Sequence, residues 1–283
     1  MARITIDGVL RETAVQVRAH LSAFVTLAAA FVFLPALIAG LFAPAPTFHM
    51  PKLGAMPQFP PWFWATTIVT LGLQMLASLT VASIAGNPRR PIYETVGTTL
   101  ARMMSALARY VGAILLLCVA YLIVSVPVLL LLAMGTGAAS ALGGSSSPQG
   151  ALAAQQVGGV FLLFALPVLL WVCARLSPML GVFAAEPVGP VGGIRRAWAL
   201  SRKSAGKLVL LLILIAVALL LLSVLGQGLG GALGSLAAFG GSMALARVVT
   251  LIVAGLVGAA SFIGIAAGQG VVYRQLLRAN VPV

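Results

Sequence analysis

Along the chain, long apolar runs alternate with short segments that carry nearly all of the charge. Six runs are long enough to cross a bilayer, at about 21–43, 62–86, 110–134, 151–174, 208–225 and 246–273. A span needs about 20 apolar residues, because a helix rises about 1.5 Å per residue through a hydrocarbon core about 30 Å thick. Three of the intervening segments have helical periodicity instead: 3–19, 92–109 and 190–206. In the first, Ile6, Val9, Leu10, Thr13 and Val17 share a face; in the second, Tyr93, Val96, Leu100, Met103, Met104 and Leu107 lie opposite Arg102 and Arg109. In the third, Val191, Ile194 and Trp198 oppose Arg196, Lys203 and Lys207. Helices of this kind lie in the headgroup layer, apolar face down. The pattern predicts one all-α integral membrane domain over 1–283, with six transmembrane helices and three interfacial amphipathic helices.

The connections fit that layout. Residues 44–61 are rich in proline and end in Trp62, Phe63 and Trp64, an aromatic cluster suited to a membrane boundary. Residues 135–150 and 226–245 read as uncharged loops rich in small residues. Pro35 predicts a bend in the first span. The order of basic helix, span, uncharged loop and span recurs from about residues 6, 92 and 190, consistent with three hairpins about a pseudo-threefold axis or with an irregular bundle. Ala43-Pro44-Ala45 resembles a signal cleavage site. The acidic leader and the 23-residue length of 21–43 favour a retained span.

Charge sets the orientation. With both termini inside, all of the 17 Lys and Arg except Lys52 and Arg247 fall on the cytoplasmic side. At about 1 kcal/mol per base near an anionic surface, the reverse orientation is disfavoured. With 61% hydrophobic and only 7% charged residues, a water-soluble globule is excluded. The net charge of +13 is scattered between apolar runs rather than gathered on a soluble face, so nucleic acid is not the expected partner. Membrane lipids are, with Arg195, Arg196, Arg202, Lys203, Lys207, Arg102 and Arg109 as candidate contacts to anionic headgroups.

Candidates for chemistry are few. The chain has four acids (Asp7, Glu12, Glu94, Glu186) and two histidines (His20, His49). The acids all fall on the cytoplasmic edge near bases and read as solvated ion pairs. A bilayer separates the histidines, Cys118 and Cys173 form no ligand spacing, and no catalytic or nucleotide motif is present. No catalytic group, metal or cofactor is expected. Gln74, Gln155 and Gln269 are the polar residues that could line a path between spans, although interhelical hydrogen bonding is the favoured explanation. Ala260, Gly264 and Gly268, four apart, predict a close helix contact.

The stretch 186–207 resembles the membrane domain associated with bacterial glycerophosphoryl diester phosphodiesterases. Glu186, Gly189, Pro190, Arg195, Arg196, Trp198 and Leu200 match that family's acidic, Gly-Pro and basic-Trp pattern, and Ala197 stands where the family has serine. The resemblance implies a six-span protein of the bacterial inner membrane, without the catalytic barrel that gives the family its name. Two functions follow as expectations: a non-catalytic scaffold or envelope lipid homeostasis factor, or a transporter or lipid-translocating protein.

Overall fold

A computed structural model describes residues 5–42, 61–86, 102–123, 125 and 165–280. Among these residues helix is the only regular structure, and six helices are long and apolar enough to cross a membrane. The protein is a multi-pass transmembrane protein. In chain order the elements are α1 (Ile6–Ala19), α2 (Leu21–Phe42), α3 (Pro61–Gly86), α4 (Arg102–Ile123), α5 (Ala165–Ala185), α6 (Pro190–Ser201), α7 (Ala205–Phe239) and α8 (Met243–Asn280).

Thr5 begins α1 by accepting the Gly8 amide at 3.2 Å on its hydroxyl, which satisfies one of the free N–H groups of the first turn. A single non-helical residue, His20, separates α1 from α2. Inside α2 the residues Ala29–Phe33 widen to a π-helix, and the Leu34 amide reaches back five residues to the Ala29 carbonyl. Pro35 follows at once. A proline has no N–H and crowds the carbonyl four residues earlier, and the wider turn accommodates both.

The helix α8 is the hub, touching α1, α2, α3, α5, α6 and α7. Small residues allow the closest approach. A β-carbon on Gly270 would stand 2.5 Å from the Ala82 carbonyl oxygen, so α3 and α8 meet backbone to backbone there. The side chains of Phe33 and Leu251 lie against Gly255 and Gly40, and Glu12 bonds Arg274, so α1 and α2 run antiparallel to α8. This register sets Leu21 opposite about Ala267. The last third of α8 therefore extends past the start of the first span, into the layer of α1 and α6.

Several predicted boundaries move. The stretch 226–239 is not a loop: α7 continues through it for 35 residues in all, and Gly226, Gly230 and Gly234 place Val257, Val253 and Thr250 of α8 against its backbone. The turn is confined to Gly240–Ser242, where Gly241 has φ +84°, a conformation that favours glycine. The sixth helix extends to Asn280 rather than Tyr273. The fourth does not end at Ala174 but continues, across a turn at Ser177 and Pro178, to Ala185, with Met179 to Ala184 buried. Residues 102–109 are continuous with the third span rather than a separate helix. The expected Ala260–Gly264–Gly268 contact is also corrected, since Ala260 and Gly264 are exposed and the close approach is made by Gly270. Residues 92–101, 126–164 and Ala43-Pro44-Ala45 lie outside the described residues.

Candidate functional site

The functional candidates gather at one end of the bundle. The loop between α5 and α6 is built by its own backbone: the Glu186 amide closes α5 on the Val182 carbonyl at 2.7 Å, and the Val188 amide bonds the Glu186 carbonyl at 2.9 Å. Gly189 then caps α6, with Pro190 at its first position, where a missing N–H costs nothing. Glu186 Oε1 accepts the Tyr273 hydroxyl of α8 at 2.8 Å and Arg196 Nε of α6 at 3.3 Å. Arg109 of α4 reaches the Val188 carbonyl at 3.5 Å. Beneath the loop the Phe183 ring fills the space a side chain at Gly193 would need. Glu186, Gly189 and Pro190 thus form one junction that ties four helices together.

A second junction joins the two ends of the chain. Glu12 of α1 receives Arg274, Gln275 at 2.8 Å and Arg278 at 3.5 Å, all from α8. The Glu12 and Glu186 side chains keep 24% and 25% of their exposure. Both acids pair with bases as expected, are partly exposed, and in doing so link separate helices. The face of α1 that packs inward is also shifted, with Val9, Gln16 and His20 buried while Leu10 is exposed. Glu94 and His49 lie outside the described residues.

A third cluster surrounds Arg175. Its guanidinium carbon lies 4.7 Å from the Trp171 ring centre and 5.0 Å from that of Trp198, and the two rings meet edge to face at 5.2 Å. Arg175 Nη1 donates to the Trp198 carbonyl at 3.4 Å, and the Ser201 hydroxyl donates to the Arg175 carbonyl at 3.0 Å. Trp198 thus packs on Trp171 and Arg175 of α5, while Val191, on the same side of α6, is exposed. The face of α6 that is buried consists of Gly193, Ala197, Leu200 and Ser201. Small residues at that spacing seat the helix tightly on α5.

Of the candidate headgroup contacts, Arg195, Arg202, Lys203, Lys207 and Arg102 are exposed. Arg196 is half exposed and shared with Glu186; Arg109 is half buried in its bond to the loop. Gln74 and Gln269, two of the candidates for a polar path, are both half-buried. Gly270 abuts Ala82, which sets Gln269 about eight residues, or about 12 Å, along from the level of Gln74. Gln155 lies outside the described residues. Among the described residues no three His, Cys, Asp or Glu side chains converge. Sequence reasoning missed Trp171, Arg175 and Tyr273 as site residues. The four-residue spacing of Trp171 and Arg175 at the end of a span was the available signal. Compared with protein-family models, curated proteins and solved structures, the chain matches none.

Proposed function

We propose that this chain is a non-catalytic scaffold or lipid homeostasis factor of a bacterial inner membrane, with both termini cytoplasmic and its basic end set against anionic headgroups. One observation carries the reading. Arg102, Arg195, Arg202, Lys203 and Lys207 stand exposed at the end of the bundle where α1, α6 and the last turns of α8 meet. At that same end, Glu12 and Glu186 are engaged by α8, so they do not cancel the outer cations. Such a surface attracts anionic lipid and follows the positive-inside pattern. The resemblance of 186–207 to the phosphodiesterase-associated membrane domain agrees with it. Transport is the weaker reading, since the predicted spans hold no Asp, Glu or Lys.

Orientation is tested with single cysteines replacing Lys203 or Met243 in a chain lacking Cys118 and Cys173. In intact cells a membrane-impermeant maleimide should label Met243→Cys and spare Lys203→Cys; the reverse labelling refutes the orientation. Lipid preference is tested by native mass spectrometry of the purified chain in mixed phosphatidylglycerol and phosphatidylcholine. Retained phosphatidylglycerol should dominate, and it should fall when Arg195, Arg196, Arg202 and Lys203 are all changed to Gln.

A further inference from the structure

Arg175 is a cation with an unusual setting. Among the described residues no carboxylate forms an ion pair with it; its recorded partners are two indole rings and the Trp198 carbonyl. A guanidinium has five N–H donors, and one of those here, Nε, is buried with no hydrogen-bond partner. The rings hold its plane in a corner. That pre-organises the fork while leaving the charge uncompensated.

Depth adds a second, independent constraint. Asn280 of α8 donates to the Leu200 carbonyl at 3.3 Å, and the hydroxyl of the neighbouring Ser201 donates to the Arg175 carbonyl at 3.0 Å. Arg175 therefore lies at the level of the last turn of α8, at the basic end of the bundle. Along α5 toward the bilayer, Trp171 and then Val168 continue the same stripe and are exposed, a surface suited to an acyl chain. On the other side, Arg202 and Lys203 follow Ser201, whose hydroxyl holds the Arg175 backbone.

We propose that the Trp171–Arg175–Trp198 corner is a discrete site for one anionic phospholipid. The guanidinium takes the phosphodiester, Arg202 and Lys203 add charge around the headgroup, and an acyl chain lies along Trp171 and Val168. This deepens the headgroup reading of the basic end and rests on it. It differs in assigning the specificity to Arg175, a residue outside the exposed basic set. Helix α6 packs on α5 through this corner as well as through the Glu186 loop and Phe183 against Gly193, so the lipid also bears on how α6 is held.

The site is tested on the full chain with Trp62→Phe and Trp64→Phe, so that emission comes from Trp171 and Trp198 alone. The protein is reconstituted in phosphatidylcholine vesicles containing brominated phosphatidylglycerol or brominated phosphatidylcholine, and quenching gives their relative affinity. The anionic lipid should bind roughly five-fold more strongly, as expected for one well-placed base. Arg175→Gln should bring the ratio to about one, while Arg195→Gln with Arg196→Gln should leave most of it. Should Arg175→Gln fail to fold, Arg175→Lys replaces it. Lysine keeps the charge and loses the planar fork, so a ratio equal to the parent's overturns the site. A preference lost in the Arg195, Arg196 variant and kept in Arg175→Gln overturns the site and leaves the broader headgroup reading standing. No preference in the parent overturns both. Inorganic phosphate in large excess should leave the ratio unchanged, and abolition by phosphate overturns the lipid assignment.

Discussion

At the basic end, α1 and α6 are held on α8 by carboxylates, with Glu12 on Arg274 and Glu186 on Tyr273. At the opposite end, α2 and α7 meet α8 through small residues: Leu251 lies over Gly40, and Gly234 over Thr250. Polar links there go to main-chain oxygens, with Arg247 donating to the Gly40 carbonyl at 2.7 Å and Thr250 to the Gly230 carbonyl at 3.2 Å. The contrast follows from the solvent. Inside a bilayer, lipid tails are as apolar as leucine, so helices associate through close packing rather than hydrophobic burial. At the headgroup layer charged groups keep partial hydration, and ion pairs can join distant parts of the chain at tolerable desolvation cost. The acids at this end are occupied within the fold, Glu12 by Arg274 and Glu186 by Tyr273 and Arg196.

The largest expected effect breaks the basic end. Glu12→Ala leaves Arg274 buried without its carboxylate and should lower stability by about 3 kcal/mol in denaturant unfolding of the detergent-solubilised chain. Changing Glu12 and Arg274 together to Met should recover most of that; an unrecovered loss shows that the pair is not the cause. The same assay sharpens the comparison at the packed interface. Gly270→Val pushes a branched side chain into the Ala82 backbone and should cost about 2 kcal/mol, or separate α3 from α8 altogether. Tyr273→Phe removes a single bond to a carboxylate and should cost about 1.5 kcal/mol. At the far end Arg247→Met should cost only about 1 kcal/mol, since the carbonyl it serves retains access to the boundary. If Arg247→Met proves as damaging as Glu12→Ala, the two ends are not built differently.

The positions of α2, α3 and α8 were legible because each is an apolar run bounded by charge or turn residues, which length and hydropathy identify without knowledge of neighbours. The glycine-rich half of α7 was not. Gly226, Gly230 and Gly234 look like loop residues until a second helix covers them, and only then does their lack of side chain become a packing surface. The site was partly legible in the same way. Glu186, Gly189 and Pro190 stand together in sequence and together in space, but Tyr273 reaches Glu186 from 87 residues away and Glu12 reaches Arg274 across 262.

What the sequence determined by itself was local or additive: the number of apolar spans, their approximate extent, and the bias of cations toward alternate connections. What the tertiary structure alone decided was which face of each amphipathic helix turns inward. On α6 the small residues Gly193, Ala197 and Ser201 are buried and Val191 is left outside, a choice hydropathy cannot make. The physical reason is that in and near a membrane both faces of a helix have an apolar or amphipathic neighbour available. Burial then follows shape and hydrogen-bond partners, which exist only once the other helices are in place.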